Sequence, residues 1–297
     1  MKTVADWQTR VMCIRIAPAN DAPIVRLAGY PVDLVMSNGE VYSADSGYEF
    51  SGYGASSTFA SSSVDLEGIL QAGAISRDDL ASGVYDNARV YVFATSWVDG
   101  QSIEDEEPIA LMFFGKVNTQ DDKYSVQLMG AIDVLSQSVG RSHSPSCQWT
   151  LFDETLDGHV IPWGQSRCTG PRSAPDGPVL SAFKVTGTLT TVTSQYIFRD
   201  SARTEAADWF AYGSIRFTTG PNAGLKSLEI KSYAADGTIT LHEALFYAPQ
   251  IGDQYEMIPG CRKRLGEDCV AKWNNGINFG GHKHVPAPSQ YTQVGRK

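Results

Sequence analysis

Four of the five cysteines sit where packing gives no reason for a thiol. Cys147 lies in Ser144-Pro145-Ser146-Cys147 and Cys168 in Arg167-Cys168-Thr169-Gly170-Pro171. Cys261 and Cys269 bracket a basic, glycine-flanked stretch, Gly260-Cys261-Arg262-Lys263-Arg264-Leu265-Gly266-Glu267-Asp268-Cys269. Thiolates are the natural ligands of zinc and of iron–sulfur clusters. Arg167, Arg262, Lys263 and Arg264 beside them are placed to favour the thiolate and to offset the negative charge of a cysteine-ligated cluster. The spacing contains neither a Cys-x-x-Cys knuckle nor a ferredoxin run. A cluster, a zinc ion, a pair of disulfides and four free thiols are therefore all open readings at this point. Cys13 stands apart, in the apolar run Val11-Met12-Cys13-Ile14-Arg15-Ile16, and reads as a small buried hydrophobe of a strand.

The elements that must position these thiols are mainly strands. Short alternating or apolar runs bounded by Gly, Asn and Asp recur at Ile24 to Leu27, Val32 to Met36, Arg89 to Ala94, Ala110 to Phe114 and Tyr124 to Met129. They predict a mainly β protein of two or more small barrel or sandwich domains with few short helices. Ser37-Asn38-Gly39-Glu40 predicts a hairpin with a type I′ turn. Ser76 is placed to cap a short helix that ends at Gly83, with Asp79 in its first turn, and a second helix is expected from Ala131 to Ser138. A polar stretch rich in Ser, Pro and Gly then reads as a crossing between domains. Strands resume over Phe183 to Thr193, Trp209 to Thr218, Leu225 to Tyr233, Thr238 to Leu245 and Asp253 to Ile258. The expected organisation is a β-rich region over 1–140, a cysteine-bearing crossing over 141–180, a second β domain over 181–258 and a terminal cysteine segment over 259–297.

At 297 residues the chain is long enough for each domain to bury a core without staples. A formal net charge of −9 argues against nucleic-acid binding as its main task, because phosphate contacts need a basic face. No run of about 18 apolar residues and no apolar N-terminal h-region is present, so a soluble protein made in a cytoplasm is expected.

Catalytic motifs are absent in the forms that can be tested, among them Gly-x-Ser-x-Gly, the Walker loop, His-Glu-x-x-His and the dinucleotide fingerprint. Gly164-Gln165-Ser166-Arg167-Cys168 comes nearest to a nucleophile elbow but lacks the final glycine. His282 and His284 straddle Lys283 and could share a side if extended; simple exposure is the plainer reading. Glu104-Asp105-Glu106-Glu107 reads as a solvated acidic loop. Asp153, Glu154 and Asp157 form the other acidic group, and the chain does not read as an enzyme.

The order of features resembles the tail hub, or tail tip, proteins of long-tailed bacteriophages and related gene transfer agents, whose C-terminal part carries an iron–sulfur cluster. In the N-terminal half the resemblance rests on Asn38-Gly39-Glu40-Val41-Tyr42, Val64-Asp65-Leu66-Glu67-Gly68, Ile75 to Gly83 and Tyr85-Asp86-Asn87-Ala88-Arg89-Val90. In the C-terminal half it rests on Phe217-Thr218-Thr219-Gly220-Pro221-Asn222-Ala223-Gly224, Gly260-Cys261-Arg262-Lys263-Arg264, Cys269 and Asn275-Gly276-Ile277-Asn278-Phe279-Gly280-Gly281. The resemblance implies a homotrimeric ring at the distal end of the tail in a virion made in a bacterial host. That ring would join a distal tail protein at the tube end to a central tip or fibre protein; from charge and hydropathy, neither nucleic-acid sequence recognition nor a membrane span is expected. It also implies a C-terminal segment that binds a [4Fe-4S] cluster through Cys147, Cys168, Cys261 and Cys269, zinc being the alternative metal. Asp153 to Arg167 departs from the family pattern as an insertion between the first two of these cysteines, and His282 stands where an aromatic residue is common. The alternative function is a tail-associated or metal-dependent hydrolase acting through carboxylates near Asp153 and Glu154.

Overall fold

The computed structural model describes residues 9–19, 22–44, 49–50, 63–69, 75–97, 103, 106–120, 123–130 and 143–284. The chain divides into two compact units, Met1–Val139 and Gly140–Lys297. Both are mainly β, with few short helices. Among the described residues no helix is long and apolar enough to cross a membrane.

The first unit contains β1 (Arg10–Ala17), β2 (Val25–Ala28), β3 (Leu34–Val35), β4 (Val41–Tyr42), β5 (Glu49–Phe50), β6 (Ser63–Ile69), β7 (Arg89–Ser96), β8 (Glu106–Gln120) and β9 (Lys123–Gly130). Seven of these form one antiparallel sheet in the order β2-β1-β7-β8-β9-β6-β5, and β3 and β4 form a hairpin. Period-two patterning creates the sheet: in β9, Tyr124, Val126 and Leu128 are buried while Lys123 and Gln127 are exposed. β1 buries both faces, Ile14 and Ile16 in one core and Val11 and Cys13 in another. Cys13 is fully buried there.

Several expectations are corrected. Of the expected barrel or sandwich domains, the described strands show curled sheets of half-barrel form, the first unit's running from β2 to β5. The predicted hairpin forms, but only Gly39 has a positive φ, of 82°, and its N–H bonds to Met36 O at 2.9 Å. That is a three-residue loop with a glycine in the left-handed position, not a type I′ turn. Glu106 and Glu107 open β8 instead of lying in a solvated loop, and Glu107 meets Arg10 at 3.6 Å; Glu104 and Asp105 lie outside the described residues. So does the helix expected from Ala131. The helix Arg77–Ala81 has Ser76 as its cap, Ser76 Oγ accepting from Asp79 N at 3.0 Å.

The second unit contains β10 (Val185–Thr188), β11 (Thr191–Val192), β12 (Ile197–Arg199), β13 (Ser214–Phe217), β14 (Leu228–Tyr233), β15 (Thr238–Leu241) and β16 (Gln254–Ile258), in the order β10-β16-β13-β14-β15-β12-β11. The run predicted from Phe183 to Thr193 is interrupted because Leu189 turns into the core, its N–H bonded to Asp253 O at 2.9 Å. Phe198, Ile215, Phe217, Ile239, Leu241, Tyr255 and Met257 fill the sheet's core. One residue on, Ile258 belongs to a second, smaller cluster with Leu151, Phe152, Leu156, Cys168 and Trp273. β16 thus delivers the chain directly from the sheet core to the cysteines.

Candidate metal centre

Four separate segments supply the four thiols. Cys147 lies in an irregular segment, and its backbone N–H bonds to Lys263 O at 2.9 Å. Cys168 is buried in the single helical turn Arg167–Thr169. Cys261 follows the end of β16, and the reversal after it puts Lys263 at φ 67°. Cys269 rides on a wide helical turn, Leu265–Lys272, whose N–H groups reach five residues back, Cys269 N to Arg264 O and Trp273 N to Asp268 O both at 3.0 Å. All four cysteines line one enclosed cavity with Trp149, Lys263 and Trp273. None of them is in a disulfide.

Three of the four sulfurs accept N–H donors: Cys147 from Gly280 N at 3.3 Å, Cys261 from Lys263 N at 3.3 Å and Cys168 from Asn275 Nδ2 at 3.4 Å. The fourth, the Cys269 thiol, donates to Asn275 O at 3.0 Å. Burial, reinforced by the charges of Cys147, Cys261 and Cys269, pushes the Cys168 thiol up to about 12. Burial and the same kind of repulsion push Cys269 up to about 11, and burial raises Cys261 as well. This corrects the expectation that the neighbouring cations keep the thiols ionised. Lys263 does oppose the rise at Cys168, but the other expected cations are engaged elsewhere. Arg262 pairs with Asp208 at 3.0 Å, Arg264 with Asp268 at 2.9 Å, and Arg167 lies 4.1 Å from the centre of the Trp163 ring. A cation missed from sequence is Lys272, partly buried and donating to Trp209 O at 2.6 Å and Gly260 O at 2.9 Å; burial lowers its pKa.

Two buried and two half-buried sulfurs around one cavity, which repel one another as thiolates and three of which already hold N–H donors, are a donor set that suits a cationic sulfur-ligated group. The indole N–H of Trp273, on the same cavity, is buried and has no partner among the described residues. Among the described residues no three His, Cys, Asp or Glu side chains are grouped to hold one metal ion.

The acidic group singled out from sequence supports a loop. Thr169 Oγ1 donates to Asp153 Oδ1 at 2.6 Å, and Asp157 accepts from Ser227 N at 3.0 Å and Ser227 Oγ at 2.6 Å. Glu154 is exposed, its segment bridging antiparallel to Val160. Asp157 therefore ties the segment between Cys147 and Cys168 to the residue before β14, and Asp153 ties it to the turn that carries Cys168, which is not the arrangement of an acid–base pair. His282 pairs not with His284 but with His143, Nε2 to Nδ1 at 2.9 Å.

Residues 5–155 match the family model described as the baseplate hub protein, N-terminal attachment domain, and residues 208–288 match one described as phage conserved hypothetical protein BR0599. No curated protein sequence matches the chain. A solved chain from the virion of native gene transfer agent (GTA) particle has the same fold, with a TM-score of 0.75 at 24% identity over 95% of this chain and 89% of that one. With its N-terminal half carried by the hub attachment domain, this chain belongs to the baseplate hub protein family.

Proposed function

We propose that the chain is a non-enzymatic structural protein of a virion, a tail hub at the distal tip of a long-tailed phage or gene transfer particle. In this reading three copies form a ring that joins a distal tail protein at the tube end to a central tip or fibre protein. Membership of the baseplate hub family and the fold shared with a chain of a gene transfer agent particle support it. Cys147, Cys168, Cys261 and Cys269 would hold a structural [4Fe-4S] cluster, and the single observation that carries this is their convergence on one enclosed cavity.

A bound cluster supplies metal–sulfur bonds and disperses the charge of the thiolates. The chain's own groups do the rest: Gly280 N, Lys263 N and Asn275 Nδ2 orient the sulfurs, while Trp149 and Trp273 help to enclose them. The role is mechanical. Tying Cys168 to Cys261 closes a loop of roughly a hundred residues that spans the whole second sheet, and removing that freedom from the unfolded chain is worth on the order of several kcal/mol.

The test is iron and acid-labile sulfide analysis with a visible spectrum, on protein purified without oxygen, beside five single Cys→Ser variants. Iron and sulfide in equal amounts, lost on changing Cys147, Cys168, Cys261 or Cys269 and kept on changing Cys13, is the expected result. Zinc alone, or no metal, would refute the cluster. Mass measurement in the presence of tail partners tests the ring, and a chain that stays monomeric there sinks it.

A further inference from the structure

We propose that Asn275 is a positioning residue for the cluster, its side-chain amide holding Cys168 and its backbone holding Cys269, and that Asp176 sets the direction in which that amide points. The proposal rests on the cluster reading and adds to it the group that tunes the centre.

Asn275 is 1% exposed. Its Nδ2 donates to Cys168 O at 2.6 Å and to Cys168 Sγ at 3.4 Å. Its backbone N donates to Cys269 O at 2.7 Å, and its backbone O accepts from the Cys269 thiol at 3.0 Å; the second bond lasts only while that sulfur keeps its proton, so on ligation the N–H bond is the one that holds Cys269. One residue therefore touches two of the four sulfurs. The orientation of its amide follows from chemistry. An ionised carboxylate only accepts hydrogen bonds. Asp176 Oδ1 accepts from Asn278 Nδ2 at 2.6 Å, so Asn278 turns its amine that way, and the same Nδ2 donates to Asn275 Oδ1 at 2.8 Å. Asn275 is left with its amine facing Cys168. Gly177 makes the approach possible, since a Cβ there would stand 2.2 Å from Cys168 O and 2.9 Å from Asn275 Nδ2. The chain of hydrogen bonds runs from an exposed carboxylate to a buried sulfur and fixes a donor on it.

A donor on a ligating sulfur stabilises the more negative, reduced state of a cluster and slows loss of the metal. The experiment uses the iron-loaded protein and its Asn275→Asp, Asn275→Ala and Asp176→Asn variants. It measures midpoint potential, rate of iron loss to a chelator, and melting temperature of the metal-free chain. Asn275→Asp should move the potential to more negative values and release iron about tenfold faster. Asn275→Ala should shift both the same way by less. Asp176→Asn, on the surface, should do so by least and leave the metal-free melting temperature unchanged. Potentials unchanged across all three variants, with iron loss tracking only the metal-free melting temperature, would reduce Asn275 to a structural residue and leave the cluster standing. A shift in the Asn275 variants with none in Asp176→Asn would overturn the orienting role of Asp176. Wild-type protein without iron and sulfide would overturn the cluster reading and this role together.

Discussion

In the sheet of the second unit, regular strands bury Ile215, Phe217, Ile239, Leu241, Tyr255 and Met257 at alternating positions. The cysteine centre a few residues beyond β16 is built differently. Its approaches contain four non-glycine residues at positive φ, Asp208, Tyr212, Lys263 and Asn274. Its apolar cluster is small, and single polar contacts such as those of Asn275 and Lys272 cross it. Left-handed backbone at non-glycine residues costs of order 1–3 kcal/mol each and persists only where its surroundings over-determine it. The sheet is held by repetition of many similar contacts. The centre is held by a few unlike ones, and a bound cluster would add the strongest of them.

The largest test of that contrast lies on the sheet side. Asp200, 2% exposed, accepts from Tyr255 OH at 2.7 Å and Ala202 N at 2.9 Å and faces Arg203 Nε at 3.6 Å. Asp200→Ala strands these groups and should cost about 3–5 kcal/mol in denaturant unfolding. Iron content per folded molecule should not change; if it falls, the two regions are one cooperative system. Gly260→Ala acts at the join, where a Cβ would lie 1.8 Å from Tyr212 C. It should cost about 2–3 kcal/mol and lower iron occupancy as well, because Cys261 is the next residue; full occupancy would mean that the centre adapts independently of β16.

The smallest effect is expected at Asp268. Burial works against its charge, but hydrogen bonds from Arg264 prevail and hold the carboxyl below its ordinary value of 3.8. A folded pKa below the unfolded one stabilises above that ordinary value and ceases to do so as pH falls through the folded value. Asp268→Asn should therefore melt a few degrees lower near neutrality, and the two curves should converge in acid. Melting temperatures that differ equally at every pH would show that the contact is not electrostatic.

The regular half of the molecule was legible in the sequence because its signals are local. Alternation marked β7 and β9, Ser76 and Gly83 marked a helix at both ends, and Asn38-Gly39 marked a hairpin, though not its turn type. The four cysteines were separable from Cys13 by their loop-like surroundings. What joins them was not legible. Leu265–Lys272 is short, charged and wound too widely for the usual helical period. The bond from Asn275 to Cys168 spans 107 residues of sequence, and that between His143 and His282 spans 139. β12 was missed because it is only three residues long. Ionisation was misjudged for the same reason, since neighbours in sequence, Arg262 and Arg264, turn to Asp208 and Asp268 rather than to sulfur.

The donor on Cys147 comes from Gly280, 133 residues later in the chain. At a synthesis rate of about 5–20 residues per second, a newly made Cys147 waits on the order of ten seconds before the segment that shelters it exists. The centre thus cannot close before that later segment has been made. Until then its earliest thiol meets the surrounding redox environment uncovered, so the moment of completion, and not only the final geometry, falls to the segment around Gly280.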